Sequence, residues 1–181
     1  MIMKVDHYSV TEQTMALVPN LDGEYIVKVF ERDRTEPIYV KQTALKLIDQ
    51  ACKEQLSDIR SRRNAVRDQL NFAKKQPIAI DILRRIYAFP TESPYNPTCH
   101  WLFLSHIKEI KPLRTAAKNG KRKTKIIFKD LQELVIDTST YILSKQYDRT
   151  LKCKEHFEEL LLSGYVTYKL IAEAQVPYII K

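Results

Sequence analysis

The chain has 181 residues, 44% of them hydrophobic, and a formal net charge of +8. That is enough apolar material for one buried core. Its apolar runs, such as Trp101–Leu104 and Leu160–Leu162, fall far short of the roughly 20 residues a membrane-spanning helix needs.

The N-terminus, Met1 to His7, lacks the basic region and apolar stretch of a secretion signal, so a cytoplasmic location is expected. Met15–Val18 and Tyr25–Phe30 are short, branched or aromatic, and separated by Pro19-Asn20-Leu21-Asp22-Gly23, which predicts a β-hairpin. Residues 37–41 predict another strand, ending where Thr43 can cap a helix. Leu45, Ile48, Cys52, Leu56, Ile59, Val66 and Leu70 then recur at three, four or seven residues, the period of one buried helix face. A helix over about 43–72 follows, with the polar stretch Ser57–Ser61 as the place where it would break. Strands return at Ile78–Ile82, Ile86–Phe89 and roughly 99–110, around a loop punctuated by Pro90, Pro94 and Pro97. Lys125–Phe128 and Leu134–Ile136 form a second predicted hairpin. Thr138 or Ser139 then caps a helix to about Leu162, ended by Ser163-Gly164, with a shorter helix over 166–175. The expected fold is α+β, a mainly antiparallel sheet with two or three packed helices. Residues 1–154 make the domain, and 155–181 a C-terminal helical appendage for interaction or regulation.

Charge is distributed unevenly. Residues 44–75 carry eight basic and four acidic groups, and residues 111–129 carry eight basic and none acidic; no other long stretch has a positive excess. On a continuous helix Lys46, Lys53, Arg60, Arg67 and Lys74 form a nearly straight stripe, drifting about 20° per heptad, and Arg63 joins it one turn beyond Arg60. From Lys46 to Arg67 the stripe extends about 31 Å at 1.5 Å per residue, the length of about nine base pairs. A solvated helix face interrupted by Asp49, Glu54, Asp58 and Asp68 explains the same pattern. The second basic stretch contains Arg114, Lys118, Lys121, Arg122, Lys123 and Lys125, with a tip at Asn119-Gly120 between strands. Such a loop can lie along phosphates or insert arginine into a narrow A/T-rich minor groove; a solubilising loop is the plainer alternative.

Enzymatic alternatives are thin. Asp81 with Glu109-Ile110-Lys111 has the D…ExK layout of a metal-dependent nuclease, a short pattern that arises often by chance. His100 and His106 share strand parity but lack a third ligand. Cys52, Cys99 and Cys153 are too widely separated for a CxxC-type metal site and read as buried free thiols. Three glycines, at 23, 120 and 164, exclude a phosphate-binding glycine loop. No catalytic residue, metal or cofactor is expected. A basic nucleic-acid-binding domain, and an interaction module without DNA binding, are the other classes open.

Ile86-Tyr87-Ala88-Phe89-Pro90-Thr91-Glu92-Ser93-Pro94, then Cys99-His100-Trp101-Leu102 and His106-Ile107-Lys108-Glu109, resemble the central signature of the ComK family of competence regulators. Leu47-Ile48-Asp49-Gln50-Ala51-Cys52, Lys75-Gln76-Pro77-Ile78 and Tyr147-Asp148-Arg149-Thr150 are similar to further family segments. The resemblance covers about residues 10–150. It implies a transcriptional activator that binds paired A/T-rich boxes of double-stranded DNA from the minor-groove side, as a homodimer assembling into a tetramer. It also implies control by a MecA-type adaptor and a Clp protease, although the phenylalanine-rich adaptor motif is missing from about Glu155 onward. Arg62 and Arg63 fall where the family has a basic pair, and the resemblance extends the DNA-binding set to them. That set is Lys53, Arg60, Arg62, Arg63, Arg67, Arg114, Lys118, Lys121, Arg122, Lys123 and Lys125, and it implies a nucleoid-associated protein.

Overall fold

The structure, a computed structural model, describes residues 2–113 and 123–174, with side chains described through Tyr165. In chain order the strands are β1 (Met3–Val5), β2 (Thr14–Pro19), β3 (Val27–Glu31) and β4 (Ile38–Val40). Helices α1 (Ala44–Glu54) and α2 (Ile59–Leu70) follow, then β5 (Ile78–Asp81), β6 (Ile86–Pro90) and β7 (Trp101–Phe103). A single 3-10 turn, Leu104–His106, leads into β8 (Ile107–Pro112), β9 (Thr124–Phe128), β10 (Glu133–Ile136) and the long helix α3 (Thr140–Ala174). Seven strands form one sheet in the order β1-β4-β3-β2-β7-β6-β5, and three form a second, β10-β9-β8. Every pairing is antiparallel except β1 with β4. The fold is α+β, as the periodicities predict.

Both faces of the large sheet are covered, so its central strands read as unbroken apolar runs. Leu17, Val29, Val40, Ile78, Ile80, Trp101 and Phe103 pack on one face with Leu47, Ile48 and Cys52 of α1. Met15, Phe89 and Leu102 pack on the other with Ile126 and Phe128 of the small sheet and Leu143 of α3. Trp101, Tyr87, Phe89 and Phe103 are fully buried, each stabilising by about 1.5–3 kcal/mol or more. The signature residues Pro90, Pro94 and Trp101 are buried, which makes them scaffold. All three cysteines are buried free thiols, and burial pushes Cys52 and Cys153 up to about 12.

The continuous 43–72 helix is corrected by the structure. Thr43 caps α1, accepting from the Lys46 N–H at 3.2 Å. The helix closes at Gln55, whose N–H reaches back to Cys52 and Lys53, and Leu56 adopts a left-handed φ of 54° with its side chain in solvent. Asp58 then caps α2 through the Ser61 N–H at 2.8 Å. The break falls at the polar stretch expected to make it. The stripe is cut with it: Lys46 and Lys53 belong to α1, Arg60 and Arg67 to α2.

Three further expectations change. The strand over 99–110 is two strands split by the 3-10 turn, which carries the chain from the large sheet to the small one and removes the shared parity of His100 and His106. Ser163-Gly164 does not end the last helix. Ser139 Oγ caps α3 at Ile142, and the helix then runs unbroken to Ala174, because one interior glycine costs only about 1 kcal/mol relative to alanine. Finally, β1 was not foreseen; its pairing with β4 is supplied by a distant strand rather than by local sequence.

Candidate nucleic-acid interface

Helix α2 buries only Val66 fully, so most of its surface is available for other work. Arg60, Arg63 and Arg67 lie on one side of it. With Leu45, Ile59, Asn64, Gln76 and Tyr95 they line a cleft of about 260 Å³ in which no carboxylate takes part. Gln76 is 4% exposed, and its amide is fixed from behind: Nε2 donates to the Phe72 and Ala73 carbonyls, both at 2.8 Å. Its Oε1 therefore faces Arg63 and accepts from Nε and Nη2 at 3.3 Å each. Arg63 Nη1 donates to the Tyr95 hydroxyl at 3.0 Å, and the guanidinium lies 5.6 Å from that ring centroid. Arg63 is thus held by neutral partners and keeps its full charge, the arrangement that receives an anion without first breaking an ion pair.

The other helix candidates sit differently. Arg67 pairs with its neighbour Asp68 at 3.0 Å, and Lys53 with Asp49 at 2.8 Å. Arg62 turns inward, donating Nη2 to the Gln55 carbonyl at 3.3 Å across the α1–α2 junction, with Nε buried and without a hydrogen-bond partner among the described residues. The structure brings Arg60, Arg63 and Arg67 together and separates Lys53 and Arg62 from them.

Arg114, Lys118, Lys121 and Arg122 lie outside the described residues. The base of their loop is described: β8 and β9 pair antiparallel, and the Leu113 N–H donates to the Lys123 carbonyl at 3.0 Å. Although no acidic residue occurs from 110 to 129 in the sequence, the fold supplies carboxylates to this ribbon. Lys111 pairs with Glu109 at 2.8 Å, Lys123 with Asp137 at 3.4 Å and Lys125 with Glu133 at 2.7 Å. The Lys123 and Lys125 pairs meet across strands, which a count along the chain does not register, whereas Lys111 and Glu109 are neighbours on β8.

Tyr95, Gln76 and Asn64 were missed by sequence reasoning. Tyr95 sits in the proline-punctuated loop and reaches α2 only through the fold; nothing local marks it.

The nuclease-like residues are not assembled. Asp81 ends β5 at an edge of the large sheet, where it accepts from the Arg84 N–H at 3.0 Å. Glu109 and Lys111 pair with each other on the small sheet. No group of three His, Cys, Asp or Glu side chains that could hold a metal ion occurs among the described residues. His100 Nδ1 bonds the Thr98 carbonyl at 3.0 Å, and His106 Nε2 the Glu12 carbonyl at 2.8 Å. No helix among the described residues is long and apolar enough to cross a membrane.

Two packed sheets carrying a capped helix with an acid-free arginine cleft define an α+β protein suited to a polyanionic ligand. A family described as ComK protein matches residues 5–160, and the chain belongs to that family. It is 31% identical over 108 residues to the competence transcription factor of Bacillus subtilis (strain 168), covering 59% of this chain and 55% of that protein. The chain thus spans about half the length of the curated relative it matches. No solved structure matches it.

Proposed function

We propose that this protein is a transcription regulator of the competence class that binds double-stranded DNA through the α2 arginine cleft and the β8–β9 ribbon. The observation that carries it is the cleft of Arg60, Arg63 and Arg67, lined by no acid and braced by Gln76 and Tyr95. Family membership and the likeness to the Bacillus competence transcription factor support the same assignment.

In this mechanism the α2 arginines fix the protein on the phosphate backbone, which positions without reading sequence. Sequence preference falls to Arg114 and Arg122, entering an A/T-rich minor groove where the potential is most negative. Lys118, Lys121, Lys123 and Lys125 contact flanking phosphates, Lys53 extends the backbone contacts from α1, and Arg62, turned inward onto the Gln55 carbonyl, braces the α1–α2 junction that presents them. A homodimer, paired into a tetramer on DNA, engages two boxes. Residues 155–181 serve interaction or regulation, including recognition by a MecA-type adaptor that delivers the protein to a Clp protease. The protein then resides in the cytoplasm with the nucleoid.

Fluorescence anisotropy on A/T-rich and G/C-rich duplexes over a salt series tests this. With six to eight phosphates neutralised, log K should fall against log salt with a slope of about −5 to −7, and the A/T-rich duplex should bind more tightly. A slope near zero overturns DNA binding; equal affinities overturn the minor-groove assignment.

A further inference from the structure

A second basic groove forms where the Asn71–Lys74 segment that follows α2 meets α3. Asn71, Phe72, Ala73 and Lys74 form one wall and Lys145, Asp148, Arg149 and Lys152 of α3 the other, enclosing about 620 Å³. Four cations face one carboxylate. Unlike the ribbon lysines, Lys74, Lys145, Arg149 and Lys152 have no ion pair among the described residues.

The groove is also built from below. Gln146, 3% exposed, donates Nε2 to the Lys75 carbonyl at 2.9 Å and the Pro90 carbonyl at 3.1 Å, locking α3 to the loop. Its Oε1 accepts from Arg149 Nη1 at 2.8 Å, while the Arg149 guanidinium stacks 4.3 Å from the Phe72 ring centroid. Desolvation lowers Arg149 below the ordinary arginine value. A planar cation held at a fixed angle by neutral groups is matched to a phosphate oxygen pair. Lys145, Arg149 and Lys152 recur at i, i+4 and i+7, spanning about 10 Å of α3 at 1.5 Å per residue. That length corresponds to about three phosphates of one strand at about 3.4 Å of duplex axis each.

We infer that this α3 groove is a second phosphate-backbone site. A single strand of duplex DNA would pass from the α2 cleft over the Asn71–Gln76 loop and into the groove. Gln76 ties the loop to Arg63 of the cleft and Gln146 ties the same loop to α3, so both sites hang on one braced segment. The inference rests on the proposed DNA binding and extends it to Lys145, Arg149 and Lys152, which the charge pattern of the sequence did not single out.

The test compares full-length wild type, Lys74→Ala/Lys145→Ala/Lys152→Ala, and a charge-matched control, Lys4→Ala/Lys28→Ala/Arg32→Ala, whose residues lie on β1, on β3 and just beyond β3, toward the opposite edge of the large sheet. Each is titrated against one A/T-rich duplex over a salt series, and folding is checked by circular dichroism. The groove variant should lose about two to three units of salt slope, about 0.9 per phosphate, while the control loses less than one. Asp148→Asn gives a signal of opposite sign that misfolding cannot imitate: removing the one acid that lines the groove, and its repulsion of phosphate, should tighten binding roughly two- to fivefold at fixed salt, the size of one exposed charge interaction. If wild type binds but the groove variant matches the control and Asp148→Asn binds no tighter, the groove inference is overturned and DNA binding stands. If wild type has no salt-sensitive affinity, both fall.

Discussion

The β8–β9 ribbon and the α2–α3 face are both basic, and they hold their charge in opposite ways. Along the chain the ribbon is the more positive; in space Lys111, Lys123 and Lys125 each meet a carboxylate from the same or a neighbouring strand segment. The α2–α3 face is diluted in sequence by Asp58, Asp68 and Asp148, yet Arg63, Lys145, Arg149 and Lys152 keep their charge unpaired among the described residues. Charge available to a ligand is set by what the fold places opposite each cation. The α2–α3 face therefore should carry most of the backbone affinity, and the ribbon tip the sequence preference.

The largest effect should come from Arg60→Ala/Arg63→Ala/Arg67→Ala. Removal of up to three phosphate contacts should flatten the salt slope by about two to three units and weaken binding on the order of 100-fold at low salt, equally for A/T-rich and G/C-rich duplexes. Circular dichroism should be unchanged, since alanine is a good helix former at exposed Arg60 and Arg67 and at half-buried Arg63 alike. A collapsed spectrum would make these arginines structural. A smaller, selective effect is expected from Arg114→Lys/Arg122→Lys, which keeps the charge. The A/T-over-G/C ratio should fall by about 1 kcal/mol, roughly fivefold. An unchanged ratio would remove the ribbon from sequence reading.

Freeing the ribbon lysines sharpens the contrast further. Glu133→Gln/Asp137→Asn should tighten DNA binding about two- to fivefold by releasing Lys125 and Lys123; no change would mean the ribbon base stands away from the duplex.

A weaker, pH-linked effect concerns the joint between the two regions. His106 sits in the 3-10 turn between the sheets, and burial lowers it below the ordinary histidine value despite its bond to the Glu12 carbonyl. The folded state therefore resists a proton that the unfolded chain takes up near pH 6.5. Stability should be complete above that pH and decline as pH falls through it, and His106→Gln should remove part of the decline in denaturant titrations at pH 7.5 and 5.5. The smallest change is Gly164→Ala. No atom lies within 4 Å of a Cβ built at that helical position, so stability should rise by up to about 1 kcal/mol, or 2–4 °C in Tm. A fall in Tm would show that the glycine is needed there.

The order and type of most elements were legible because each carries its own period and punctuation, such as Thr43 at a helix start and Gly23 at positive φ in the first turn, whereas Asp58 as the cap of α2 emerged only from the fold. The arginines at 60, 63 and 67 were legible too, since helical spacing places them on one side. Tyr95 and Gln76 were not, because they reach Arg63 only after the loop and strand fold back on α2. The acid partners of the ribbon and the Lys74–Lys152 groove depend in the same way on pairings between distant segments.

By itself, then, the sequence determined an α+β domain with basic helices and a family signature, since periodicity, caps and turn residues act locally. Tertiary structure alone decided that 99–110 changes sheets and which cations remain unpaired. Those outcomes turn on contacts between residues tens of positions apart, whose energies exceed local preference and leave no local mark.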